Sequence, residues 1–318
     1  MKKIICLILI GTGIIFVFAQ TLVLHKWKVT IKVVDETGQP IAEAKTGVGY
    51  YSHSQPTSID GLTDKDGIFK ASHFTSAIIA DLGFSAEKAG YYITRPPGIE
   101  LRNYGQYSDL SKWKFTETIV LKKIGNPIPM YARRKEEGMM LQKEGEPMGF
   151  DLKAGDWVAP YGTGFHTDII FTLLHRQIIS QSKFDCTLKV SFPNKGDGIV
   201  IAPSEEFAGS AFRTSRTAAK NGYEPELNLR FTNTELATNV FGYFMRVETS
   251  LDEKGNIKSA LYGKINGNFK LYAGTIKPHS GMGFDYCLNP TPNDQNLEFD
   301  PKRNLSQNLK LLEGVNEP

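Results

Sequence analysis

Along residues 27–33 apolar and polar positions alternate, with Trp27, Val29, Ile31 and Val33 on one parity and Lys28, Thr30 and Lys32 on the other. Alternation with a period of two predicts a strand with one buried face. The pattern stops at Asp35-Glu36-Thr37-Gly38-Gln39-Pro40, where Gly and Pro mark a reversal, and a second strand is expected near 47–51. Thr63-Asp64-Lys65-Asp66-Gly67 predicts a tight turn between strands, Gly67 supplying the positive φ. Alternation returns in the second half, in Phe184, Cys186, Leu188, Val190 and Phe192 and in Leu227, Leu229 and Phe231. Segments 243–249 and 257–265 flank Asp252-Glu253-Lys254-Gly255-Asn256, a hairpin signal, and 269–273 and 282–288 supply further strands. Helical periodicity is absent from every long segment; 210–220 is the candidate for a short helix. Short strands at regular spacing predict a mainly β protein built as two β-sandwich domains.

Residues 27–123 form the first expected domain and 148–305 the second. Between them, 124–147 reads as a linker. Gly125-Asn126-Pro127-Ile128-Pro129 ends the first run of strands, and 133–146 is charged and punctuated by Gly. A helical turn is expected at 136–141, with Tyr131 and Met139-Met140-Leu141 tying the linker to a domain face. Arg133-Arg134-Lys135, followed at once by Glu136-Glu137, reads as a solvated charge run. Residues 306–318 read as a polar tail.

Residues 1–19 carry Lys2-Lys3, an uncharged apolar run from Ile4 to Phe18, and Val17 and Ala19 at the −3 and −1 positions before Gln20. That is the layout of a secretory signal. Extended through Leu24, the run reaches about 21 residues, enough to span a bilayer as an uncleaved anchor. Both readings of 1–24 leave Lys2-Lys3 in the cytoplasm and export the rest, to a periplasm or a cell surface. Hydrophobic residues at 41% and charged residues at 22% exclude disorder as the main state. The balance of 37 basic to 34 acidic residues, with no concentrated basic face, excludes a nucleic-acid partner. The expected partners are an envelope protein or a glycan, with the membrane added if the leader is uncleaved.

Three segments of the first domain carry a resemblance: 33–44 (Val33-Val34-Asp35-Glu36-Thr37-Gly38-Gln39-Pro40 onward), 63–69, and Ala89-Gly90-Tyr91. Together they resemble the carboxypeptidase-regulatory-like family over about 29–121. The resemblance implies a prealbumin-like β-sandwich, an extracytoplasmic setting and a non-catalytic accessory role. It brings no active-site residues. Residues 94–114 form a longer, aromatic-rich connection than the family pattern has. The second domain has no such family; its 289–300 tail is similar to tails of secreted proteins that carry no function with them.

Gly155-Asp156-Trp157 and Gly164-Phe165-His166-Thr167-Asp168 form the cluster richest in chemistry. His166 and Asp168, two residues apart, would share a strand face. Histidine there can act as base or ligand, with the carboxylate orienting it. Asp156 fits a turn cap. Neither an HExxH nor a GxSxG pattern is present, Ser180-Gln181-Ser182-Lys183 and Lys45-Thr46-Gly47 fall in the wrong order for a serine β-lactamase, and Gly162-Thr163-Gly164 lacks a nucleotide-site setting. The expectation is therefore a non-catalytic binding protein. The alternative is a hydrolase or metal-dependent enzyme using Asp156, His166 and Asp168. Neither a metal nor a cofactor is assigned. Trp157, Tyr161 and Phe165, with Trp113 of the 94–114 connection, are the candidate binding residues, because exposed aromatics stack on sugar faces.

The carboxylates elsewhere read as turn chemistry. Asp60, Asp64 and Asp66 lack the remaining oxygens and the final Glu of an EF-hand loop. Asp294, Glu298 and Asp300 lie in an Asn- and Asp-rich loop that satisfies its own backbone, with a sugar or calcium site as the other reading. Cys186 and Cys287 would pair in an oxidising compartment. They could equally be buried small hydrophobes, since their opposite parity relative to their apolar neighbours opposes the bond geometry.

Overall fold

A computed structural model describes residues 25–52, 55–75, 81–100, 114–180, 183–203, 209–232, 240–272 and 280–318. The chain is mainly β and divides into two compact units, with the main boundary at Lys123/Ile124 and Gly209 and Ser210 grouped with the first. The leader and Trp113 lie outside the described residues. Among the described residues no helix is long and apolar enough to cross a membrane.

In the first unit, β1 (His25–Asp35) pairs antiparallel with β4 (Ile68–Thr75) and parallel with β7 (Lys114–Leu121). A second sheet orders β3 (Gln55–Leu62), β2 (Lys45–Ser52), β5 (Asp81–Glu87) and β6 (Ile99–Glu100). One core joins the two sheets: Trp27, Val29, Ile31 and Val33 of β1 meet Val48 and Tyr50 of β2 and Leu82 and Phe84 of β5. The apolar parity read from the sequence is the buried one, while Lys28 and Lys32 are exposed. In the 63–67 turn, Asp64 Oδ1 accepts from the backbone N–H groups of Asp66 and Ile68, at 3.0 and 2.9 Å. Gly67 has φ +73°, and a Cβ there would lie 2.5 Å from the Val33 carbonyl oxygen, so only glycine fits.

The second unit holds two five-stranded sheets. One orders β10 (Asp156–Trp157), β9 (Pro147–Asp151), β11 (Ile169–Ser180), β12 (Lys183–Ser191) and β14 (Glu226–Thr232). The other orders β13 (Gly198–Ile201), β15 (Gly242–Leu251), β16 (Ile257–Tyr272), β17 (Ser280–Leu288) and β8 (Tyr131–Leu141). Both contribute to one core in which Phe150, Phe171, Phe269, Phe284 and Tyr286 meet mostly edge to face, with ring centroids 5.4–6.4 Å apart. Such contacts add to the stabilisation that area burial alone supplies.

Several expectations need correction. The predicted linker is in large part strand β8, paired with β17 from Tyr131–Leu288 to Leu141–Ser280, so no helical turn forms at 136–141. Arg133 is 7% exposed rather than solvated. It donates to Glu313 (2.7 Å), Lys135 donates to the same carboxylate (2.9 Å), and Arg134 pairs across the sheet with Asp285 (3.1 Å). The supposed polar tail supplies that carboxylate and also buries Val315. Residues 211–220 form no helix, because 216–218 bridge to 295–297 through Leu297 N–H to Arg216 O and Ala218 N–H to Gln295 O.

Cys186 and Cys287 are free. Cys186 lies in the main core, whereas Cys287 packs with Met130, Ala132, Phe299 and Val315 in a separate cluster. Opposite parity therefore places the two sulfurs in different clusters. In the 289–300 loop the carboxylates are used internally: Glu298 accepts from the Gly125 and Asn126 N–H groups, Asp294 from Asn289 and Asn296, and Asp300 from Lys302 and Arg303.

Candidate functional site

Between β9 and β11 the chain runs through an 18-residue excursion, Asp151–Asp168, that is organised from below by one carboxylate. Asp151 is buried. Its Oδ1 accepts from the N–H groups of Lys153 and Ala154, both at 2.9 Å, and its Oδ2 accepts from those of Phe165 (3.0 Å) and His166 (3.1 Å). It thus ties the two ends of the excursion together. Burial pushes its pKa up, but the four backbone donors outweigh this and hold it below the usual carboxylate range. Gly164 is required where the ends close, since a Cβ there would lie 2.8 Å from the Asp151 Cβ.

Asp156 performs a similar service at the tip. Its Oδ2 accepts from both the N–H and the hydroxyl of Thr163, each at 2.9 Å, and its Oδ1 from the Trp157 N–H. That side chain is committed to the loop. Trp157 is 5% exposed and packs edge-on against Phe150 and Phe171, at 5.6 and 5.8 Å, so it anchors the loop in the core and is not a surface contact residue. Tyr161 is partly exposed, and its hydroxyl donates to Glu146. Phe165 is 95% exposed although its backbone is held. Beside the loop a polar cleft of about 410 Å³ is lined by Arg133, Lys135, Lys153, Asp156, Thr163 and Glu313, among others.

His166 and Asp168 do not lie on a strand, because β11 begins at Ile169. They nevertheless converge. His166 is exposed, Asp168 is 1% exposed, and His166 Nε2 stands 3.6 Å from Asp168 Oδ1. Asp168 Oδ2 accepts from the Leu152 N–H at 2.8 Å. The pKa of Asp168 is pushed up to about 7. Burial is the largest cause and the charges of Glu248 and Asp151 add to it; the Leu152 hydrogen bond and His166 oppose it.

Glu248, on β15, completes a trio with these two; one ligand atom from each lies within 4.8 Å of the others. The pairing of β15 with β16 shifts register between Val247 and Ser250, and Glu248 has φ +52°. A bulge of this kind re-aims a side chain. The alternating pattern of 243–249 gives no sign of it, since a lone Glu in a strand reads as a solvent-facing position. Lys153 Nζ lies 2.6 Å from Glu248 Oε1. Of the residues the sequence singles out, the structure brings His166 and Asp168 together, adds Glu248 beside them, and places Asp156 in the loop tip with Thr163 and Trp157.

No protein-family model matches the chain, and no curated protein matches it. Among solved structures, 3-chlorocatechol 1,2-dioxygenase from Rhodococcus opacus 1CP is 17% identical, covering 31% of this chain and 60% of its own, with a TM-score of 0.25. Invasin, a bacterial integrin-binding protein, is 12% identical, covering 85% of this chain and 55% of its own, with a TM-score of 0.18. The chain thus spans less than two thirds of either. Overlaps this weak carry no argument about fold or function.

Proposed function

We propose that this is an exported, non-catalytic binding protein of the cell envelope or surface that contacts another protein or a glycan through the 151–168 loop. The leader motif supports export. The alternation and turn motifs of the first unit support a carboxypeptidase-regulatory-like, prealbumin-like sandwich, and two sheets around one core support a second sandwich. The observation that carries the binding reading is Phe165: a large apolar side chain left 95% exposed on a backbone clamped by a buried carboxylate. Burying such a ring against a partner removes apolar area from water at little ordering cost, because the loop is already fixed. The adjoining polar cleft offers charged donors and acceptors to the same partner. The alternative, a hydrolase or metal-dependent enzyme using Asp156, His166 and Asp168, has its Asp156 already engaged by Thr163 and Trp157.

The test is retention of the full chain on its host's envelope, separated into glycan and protein fractions. Saturable retention on one fraction is expected, weakened about tenfold or more by Phe165→Ala at unchanged melting temperature. Leu62→Ala, on an exposed apolar residue of the first unit, should leave retention unchanged. Equal retention of Phe165→Ala and wild type would overturn the reading.

A further inference from the structure

We propose that His166 Nε2, the unpartnered oxygen of Asp168 and a carboxylate oxygen of Glu248 bind one divalent transition-metal ion of the zinc class. The inference stands apart from the binding role of Phe165 and needs no partner.

The observation that points to a ligand is Asp168. The residue is 1% exposed, yet its Oδ1 accepts no hydrogen bond. Buried carboxylate oxygens ordinarily have partners, and an unpaired one is costly. Its aim is fixed, because the other oxygen is held by the Leu152 N–H and the Asp168 N–H donates to the Phe150 carbonyl. Oδ1 faces an imidazole nitrogen at 3.6 Å rather than a hydrogen-bond donor at contact distance. Metal bonds of roughly 2.0–2.2 Å to N and O donors place the ligand atoms of a tetrahedral site roughly 3.3–3.6 Å apart. The 3.6 Å pair already falls in that range. The widest spacing of 4.8 Å closes by small rotations of His166 and Glu248, both of which reach solvent.

Donor chemistry selects the ion. One imidazole with two carboxylates suits zinc and its neighbours, whereas calcium and magnesium take oxygen donors throughout. Asp151 is not a ligand, since its oxygens hold four backbone donors. Three protein ligands leave a coordination position open. A bound ion would cross-link the loop to β15.

The probe is zinc chloride, titrated calorimetrically into the full chain after treatment with EDTA, with calcium and magnesium chloride as comparisons. Cobalt(II) absorption reports the donor set. One zinc per chain is expected, with affinity falling about tenfold or more in His166→Ala and likewise in Glu248→Gln. Both side chains are partly exposed, so these variants should stay folded; circular dichroism and melting check this. Lys153→Ala, which removes a competing cation from Glu248, should tighten binding. Absence of zinc binding, calcium binding in its place, or zinc binding that either ligand variant leaves unchanged would overturn the assignment.

Discussion

Glu313→Ala should destabilise the second unit by about 3–5 kcal/mol, the usual cost of breaking a buried ion pair from one side. Glu313 is 8% exposed and Arg133 7%. Its two oxygens accept from Arg133 and Lys135 and also from the Lys310 N–H, so removal leaves two largely buried cations side by side without the carboxylate they share. Burial opposes the charge on Glu313, but Lys135 and the Lys310 N–H outweigh it and keep the pKa below the usual carboxylate range. Denaturant melting of the second unit checks the prediction. The triple change Arg133→Met, Lys135→Met, Glu313→Leu should recover most of the loss, because apolar groups of similar size need no partner. If Glu313→Ala melts like wild type, the C-terminal segment is not a structural part of the unit.

Asp151→Ala should cost about 3 kcal/mol or more, since it strips the acceptor from four backbone N–H groups at once. The effect is also local: amide exchange at Phe165 and His166 should accelerate strongly in the variant, while the core strands change only as global stability falls. Asp151→Asn keeps an acceptor oxygen for one pair and should lose less. The pH dependence follows from the lowered pKa. A carboxylate more acidic in the folded state than in the unfolded chain contributes its full stabilisation above about pH 4 and loses it as pH falls through the lower folded value. Acid melting of wild type should therefore be steeper than that of Asp151→Ala. Parallel acid profiles would contradict the account.

Where one strand face met one core, the pattern was readable. Alternation at 27–33 and at 186–190 names the residues that are buried, and Asp64 and Gly67 specify their turn from local chemistry. The misses have a common physical origin in distant partners. Central strand β11 went unrecognised because Ile169, Ile170, Phe171, Leu173 and Leu174 place apolar groups on both parities and a register shift follows Leu173. Strand β8 looked like solvated linker because its charges are neutralised by Glu313, some 180 residues later in the chain. The candidate site divides the same way. Local spacing suggested His166 and Asp168, but only tertiary folding buries Asp168 and brings in Glu248 across a bulge.

The central claim is that Phe165 is a contact residue on a pre-formed loop. Its most direct test is site-specific photo-crosslinking in the host's own envelope, with benzoylphenylalanine placed at 165 and, as control, at exposed Leu62. A discrete adduct to one protein or glycan from position 165, absent from position 62, is the predicted result. No adduct from 165, or the same adducts from both positions, would contradict it.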